Sequence, residues 1–209
     1  MSLLLDLLYP PKCVFCGALL RDGERDVCRN CELPETDTVR PVRFTEGCAA
    51  PFRYEGTVRE AVLRFKFGGR TGYAAPFGRF MAGRLQKCSA DFVTWVPVSP
   101  LRRFLRGYDQ ARLLAAETAN VLALPCVATL RKEERKKQSK MGSEAARLAN
   151  IAGAFRVCAP EKVRGARILL IDDICTTGAT LSEAALTLRS AGAESVLCGA
   201  LAVTEETKR

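Results

Sequence analysis

Ile168-Leu169-Leu170-Ile171-Asp172-Asp173-Ile174-Cys175-Thr176-Thr177-Gly178-Ala179-Thr180 is the stretch that decides the fold of this 209-residue chain. Four consecutive aliphatic residues, Ile168 to Ile171, suit a short strand covered on both faces, as in a parallel sheet. Leu181, Ala184, Ala185 and Leu188 follow at helical spacing. The segment therefore reads as a strand, an acidic pair, a small-residue loop and a helix.

That order carries chemistry. In an open parallel sheet, ligands sit beyond the carboxyl ends of the strands, where the next helix presents unpaired N–H groups and the positive end of its dipole. Thr176, Thr177 and Thr180 add hydroxyl donors, Ala179 is small, and Gly178 permits a turn and a close backbone approach. The loop suits a phosphate. Asp172 and Asp173 are poor phosphate ligands, but they suit a sugar diol, accepting hydrogen bonds from adjacent hydroxyls and supporting Mg2+ directly or through water. A ribose 5-phosphate moiety satisfies both halves. Neither Gly-x-x-x-x-Gly-Lys-Ser/Thr nor Gly-x-Gly-x-x-Gly occurs in the chain. The alternative, a strand running into a threonine-capped helix with no ligand, leaves adjacent aspartates to be buried at a cost.

Outward from this stretch, strand-like and helix-like segments alternate from Phe44 onward, which predicts an α/β domain with a mostly parallel sheet flanked by helices. Val58, Ala61, Val62 and Phe65 share a helix face, Phe92 to Val98 reads as a strand, and Asp109 is placed to cap a helix running to about Leu122. Cys126 to Leu130 is expected to be the next strand, and Ser195 to Val203 the last. Residues 1–42 read as a separate small unit ending in a linker from Pro34 to Pro41, with the larger domain over 43–209.

Composition narrows the chemistry. The chain has no histidine, which excludes a Ser-His-Asp triad, a Cys-His pair and histidine-held metal sites. Ten cysteines are present, and four form the pairs Cys13-x-x-Cys16 and Cys28-x-x-Cys31. This is the spacing of a four-thiolate structural zinc site, and zinc would supply folding energy that about forty residues cannot obtain by burial. The competing reading, a redox Cys-x-x-Cys, needs a strand-to-helix context and would occur once. No apolar run is long enough to span a bilayer, and the Leu3–Tyr9 segment lacks the features of a signal peptide, so a cytoplasmic location is expected. The formal charge of +9 favours polyanionic partners, a phosphorylated metabolite or a nucleic acid, and also serves solubility.

Ile168 to Thr180 resembles the motif that binds 5-phosphoribosyl-1-diphosphate (PRPP) in type I phosphoribosyltransferases, with Cys175 a mild departure. A second segment, Trp95-Val-Pro-Val-Ser-Pro-Leu-Arg-Arg-Phe-Leu-Arg-Gly-Tyr-Asp-Gln-Ala-Arg112, again puts a strand before a basic loop and a helix start; it is similar to the corresponding part of the ComF (competence protein F) family. Arg102, Arg103 and Arg106 are expected to hold a diphosphate, with Gly107 letting the backbone approach. A third segment, Arg131 to Phe155, resembles the loop that closes over PRPP in these transferases. Arg131 and Lys132 are the expected catalytic cations over the leaving diphosphate, while Gln138, Arg147 and Asn150 match the pattern without an assignable role. Solvated charge is the alternative for both basic segments. Together with the cysteine ribbon, the resemblance to ComF proteins covers essentially the whole chain.

The resemblance implies a type I phosphoribosyltransferase-like fold with an N-terminal zinc ribbon, Mg2+ arriving with PRPP, and a role in natural transformation. Single-stranded DNA and competence-machinery proteins are the partners it implies. Two activities remain open: a binding module regulated by PRPP, or an active phosphoribosyltransferase of nucleotide or salvage metabolism with an unknown acceptor. No general base and no nucleobase-recognising hood is recognisable. A purely structural zinc adaptor leaves the acidic pair and its threonine loop unexplained.

Overall fold

The computed structural model describes residues 10–133 and 153–204. A six-stranded sheet is built from β1 (Val39–Arg40), β2 (Cys48–Ala49), β3 (Phe52–Arg53), β4 (Phe92–Trp95), β7 (Arg167–Cys175) and β8 (Ser195–Val203), in the order β1-β2-β8-β7-β4, with β3 also pairing with β8. Only β1 runs antiparallel to its neighbour. A separate antiparallel pair joins β5 (Leu130–Lys132) to β6 (Phe155–Val157). The helices are α1 (Gly56–Phe67), α2 (Ala74–Leu85), α3 (Pro100–Arg106), α4 (Gln110–Leu122), α5 (Pro160–Val163) and α6 (Ala179–Ser190).

The aliphatic run of β7 explains the layering. Leu169 and Ile171 pack with Phe65, Phe77 and Leu114 of α1, α2 and α4, whereas Ile168 and Leu170 pack with Leu181, Ala184 and Leu188 of α6. All four β7 residues are essentially inaccessible. Alternate residues feed opposite cores, as the two-residue period of a strand requires. The expected α/β class is observed.

Two segments differ from their sequence reading. Cys126 makes a single bridge to Val93, and the regular strand begins at Leu130, where the chain pairs with β6 instead of extending the main sheet. After Val127 donates to Val93 O at 2.8 Å, the chain leaves the edge of the sheet. The stretch expected to be a linker is pinned along its length: Thr36 N donates to Pro51 O, Arg53 N to Pro34 O, and Val39 and Arg40 form β1.

The cysteine unit shares the core of the larger domain. Phe15, between Cys13 and Cys16, is fully buried, and its ring lies 5.4 Å from Phe52 and 5.7 Å from both Phe77 and Phe80, centroid to centroid. Arg79 of α2 donates to both carboxylate oxygens of Asp26, at 2.8 and 2.6 Å. Arg64 of α1 donates to Phe15 O. No helix among the described residues is long and apolar enough to cross a membrane.

Candidate functional site

β7 continues through Asp172 and Asp173 to Cys175, so the acidic pair lies inside the strand and not after it. The pleat then turns the two carboxylates to opposite faces of the sheet. Asp173 lies toward α1, where Lys66 Nζ is 2.9 Å from its Oδ1. Asp172 lies on the other side and accepts a 2.8 Å hydrogen bond from Asp173 N. Burial, followed by the adjacent Asp173 charge, pushes the Asp172 carboxyl well above the ordinary carboxylate range.

The loop that follows is short. Thr176 and Thr177 are exposed, and α6 starts at Ala179 with Gly178 as its N-cap and no capping side chain. Gly178 has φ +72°, and a Cβ there would sit 3.1 Å from Val42 Cγ2, so the turn requires glycine. Thr177 Oγ1 takes the Ala179 N–H at 3.3 Å. Apart from that bond the helix start has no side-chain cap, and with Thr180 in its first turn it is a ready acceptor for an anion.

The arginine segment, expected as a loop, is the helix α3. Pro100 stands in its first turn, Ser99 Oγ accepts from Arg102 N at 3.4 Å, and Gly107 closes the helix at φ +79° while donating to Arg103 O. That combination of N-terminal proline and C-terminal glycine is a helix signature. Arg102 and Arg103 remain exposed. Arg106 instead turns back, donating to Gln110 Oε1 at 3.0 Å and covering the Phe67 ring at 4.9 Å.

The rest of the Arg106–Gln110 run forms a clasp. Asp109 caps α4 by accepting from Arg112 N at 3.1 Å and also accepts from Val98 N at 3.4 Å. Tyr108 donates its hydroxyl hydrogen to Phe65 O, and Gln110 Nε2 donates to Lys66 O at 3.5 Å. These bonds satisfy carbonyls in the last turn of α1, which a helix leaves without internal partners. Lys66, Tyr108 and Gln110 were not among the expected site residues; nothing in the pattern of a helix ending in Lys66-Phe67-Gly68 marks the lysine as a ligand neighbour.

Lys132, on β5, brings the third segment to the same place. Burial first, and Arg102 next, push its pKa down, while Asp172 opposes them. Lys132 thus feels the charges of Arg102 on α3 and of Asp172 on β7, and its Nζ lies 5.3 Å over the Phe155 ring. It also lines a cavity of about 600 Å3 with Trp95, Pro97, Arg103, Phe104 and Arg131. Arg131 is largely exposed, 4.0 Å from Glu133. Gln138, Arg147 and Asn150 lie outside the described residues.

The four expected metal ligands converge. All Sγ atoms of Cys13, Cys16, Cys28 and Cys31 lie within 4.8 Å of one another, and three of the pairs are separated by 3.5–3.7 Å. A tetrahedral zinc with Zn–S near 2.3 Å implies S···S edges of about 3.8 Å, so the donor set fits the ion. Burial pushes the Cys13 thiol up, but backbone N–H groups, led by that of Cys16, outweigh it and bring the pKa to about 7. Burial and the surrounding thiols push Cys31 up. A divalent ion would supply the positive charge that four crowded thiolates require. This is the metal-capable cysteine cluster among the described residues, and its role is structural because no ligand position is left open.

Two protein families match separate parts of the chain. Residues 4–61 match the double zinc ribbon domain family, and residues 109–209 match the phosphoribosyl transferase domain family. Competence protein ComFC of Streptococcus pneumoniae is 35% identical over 70% of this chain, which spans 64% of that protein. Competence protein ComFC of Bacillus subtilis is 30% identical over 86% of this chain and 72% of its own length. DNA utilization protein YhgH of Escherichia coli is 26% identical over 88% of this chain and 86% of its own. Among solved structures, the glutamine PRPP amidotransferase of B. subtilis matches with a TM-score of 0.48 at 20% identity, covering 66% of this chain and 30% of that one, too distant to add to the assignment. With a zinc ribbon docked on a phosphoribosyl transferase domain and this level of identity to both ComFC proteins, the chain belongs to the ComF family of competence proteins.

Proposed function

We propose that the chain binds PRPP, or a related ribose phosphate, in the service of DNA uptake during natural transformation. The observation that carries the reading is topological: β4 and β7 are adjacent and parallel, with Trp95 opposite Ile171, so α3 and the acidic pair with its loop emerge side by side at one end of the sheet. Asp172 and Asp173 are assigned to the ribose hydroxyls, and Thr176, Thr177, Gly178, Ala179 and Thr180 to the 5-phosphate. Arg102, Arg103, Arg131 and Lys132 are assigned to the diphosphate. Arg106 and Gly107 shape that side of the site through the clasp. Mg2+ would arrive on the diphosphate, whose oxygens suit a hard cation that keeps several waters. The division at residue 42, the cytoplasmic location and the competence partners belong to the same proposal.

Single-stranded DNA is the macromolecular partner this reading implies, and α3 supports it. Phe104 is 84% exposed, and Leu101 and Leu105 are exposed beside it, interleaved with Arg102, Arg103 and Arg106. Phe67 is also exposed under Arg106. Aromatic faces among cations are what an unpaired strand needs, since bases stack while phosphates meet arginine. The second reading, an active transferase, draws on the cavity beside Lys132, which is large enough for a planar acceptor next to the diphosphate position.

Calorimetry with Mg2+-PRPP, with diphosphate release followed in the same preparation, tests the proposal. Saturable binding without release across candidate acceptors supports the binding reading, release supports the transferase, and no binding overturns both.

A further inference from the structure

The charge on Asp173 is balanced from within the chain. The Lys66 and Asp173 side chains are only 17% and 15% exposed, and the ammonium meets Oδ1 at 2.9 Å. An ion pair this sheltered from water contributes little to folding compared with a well-packed apolar pair, because both partners lose their hydration. Yet the chain fixes Lys66 from two directions. Tyr108 and Gln110 bind the carbonyls of Phe65 and Lys66, and Arg106 covers Phe67. Two residues upstream, Arg64 is bound to Phe15 O in the first cysteine knuckle. The last turn of α1 is thus held between the cysteine unit and the 106–110 clasp, with its lysine aimed at one carboxylate.

We propose that Lys66 is a positioning residue of the ribose subsite, supplying at Asp173 the positive charge that a divalent cation would otherwise bring. The proposal rests on the ribose phosphate reading above. An ammonium 2.9 Å from Oδ1 offsets the carboxylate charge and crowds that oxygen, which weakens its pull on a cation, and Mg2+ tolerates little departure from octahedral geometry. With Oδ1 held by Lys66, Asp173 keeps its second oxygen for a sugar hydroxyl. Asp173 then has no need of Mg2+ as a counter-ion. A ligand with the ribose and 5-phosphate but no diphosphate binds independently of the metal.

Ribose 5-phosphate is the discriminating probe, titrated calorimetrically into the zinc-loaded full chain in buffer with Mg2+ or in Mg2+-free buffer without chelator. The wild type should give the same Kd in both, within about twofold. Lys66→Met should bind about tenfold more weakly without Mg2+, the scale of one lost charge-assisted contact, and recover in part with Mg2+. Lys66→Arg, which keeps the cation, should retain metal independence. Zinc content and Tm establish that Lys66→Met is folded; should it not fold, the wild-type comparison and Lys66→Arg decide alone. Mg2+-dependent ribose 5-phosphate binding by the wild type, or unchanged binding by folded Lys66→Met without Mg2+, overturns the role of Lys66 while PRPP binding leaves the site assignment standing. Failure of the wild type to bind either compound overturns both.

Discussion

Phe15 of the first cysteine knuckle lies edge-on to Phe52 of β3, with ring centroids 5.4 Å apart at 77°, so the metal unit and the sheet are stabilised by one shared cluster. Truncating Phe15 to Ala should cost about 3–5 kcal/mol, the range for a buried phenylalanine. Urea unfolding checks this, and the same melts should show the whole chain, not the ribbon alone, losing stability when zinc is chelated. Two separate transitions, with the second unmoved by chelation, would show that the shared cluster does not couple the two units.

Gly178→Ala should destabilise the fold by about 1–2 kcal/mol, because the residue is held in the left-handed region and a side chain there also meets Val42. Ribose phosphate affinity should fall as well, since the same turn aims the start of α6. Denaturant titration and calorimetry on one variant separate the two effects.

Asp172 makes the stability of the ligand-free chain depend on pH in an unusual direction. Burial and Asp173 raise its folded pKa, so the folded state holds the proton more tightly than the unfolded chain does. The sign follows: this group's contribution is most favourable below the ordinary carboxylate pKa, declines as pH rises above it, and levels off beyond the folded value. Asp172→Asn keeps an acceptor for Asp173 N but carries no charge. It should gain stability over the wild type by about 1 kcal/mol at neutral pH, with the difference shrinking toward about pH 4. Parallel urea titrations across that range check it.

DNA binding, if it uses α3, should fall steeply with salt, by about 0.7 log units of affinity per phosphate contact for each tenfold increase in salt. Phe104→Ala should lose about 1–3 kcal/mol of affinity for an oligothymidine with the salt slope unchanged, whereas Arg102→Ala should lower the slope. Fluorescence anisotropy at several salt concentrations distinguishes these outcomes.

Much of this was legible in residue order. The four aliphatics of β7 announce a strand buried on both sides because each face needs its own apolar pair, and Ile168 with Leu170 and Leu169 with Ile171 supply them. The cysteine spacing identifies the metal unit because thiolates at that separation have few other uses. The opposed facing of Asp172 and Asp173 was not legible: it depends on how far pairing with β8 runs, and that pairing continues past Asp172, opposite Ala200, to Cys175, opposite Val203. Lys66 was hidden for a different reason, since its meaning comes from a carboxylate more than a hundred positions away. The helical state of Pro100–Arg106 was written in Ser99, Pro100 and Gly107, but the cluster of arginines draws attention to charge before capping.

The central claim is that the acidic pair of β7 holds the ribose of a phosphorylated sugar, and calorimetry with Mg2+-PRPP on the wild type and on Asp172→Asn/Asp173→Asn tests it most directly. The wild type should bind saturably, and the double variant, folded and with its zinc intact, should show no detectable binding. Equal PRPP affinity in the two proteins would contradict the account.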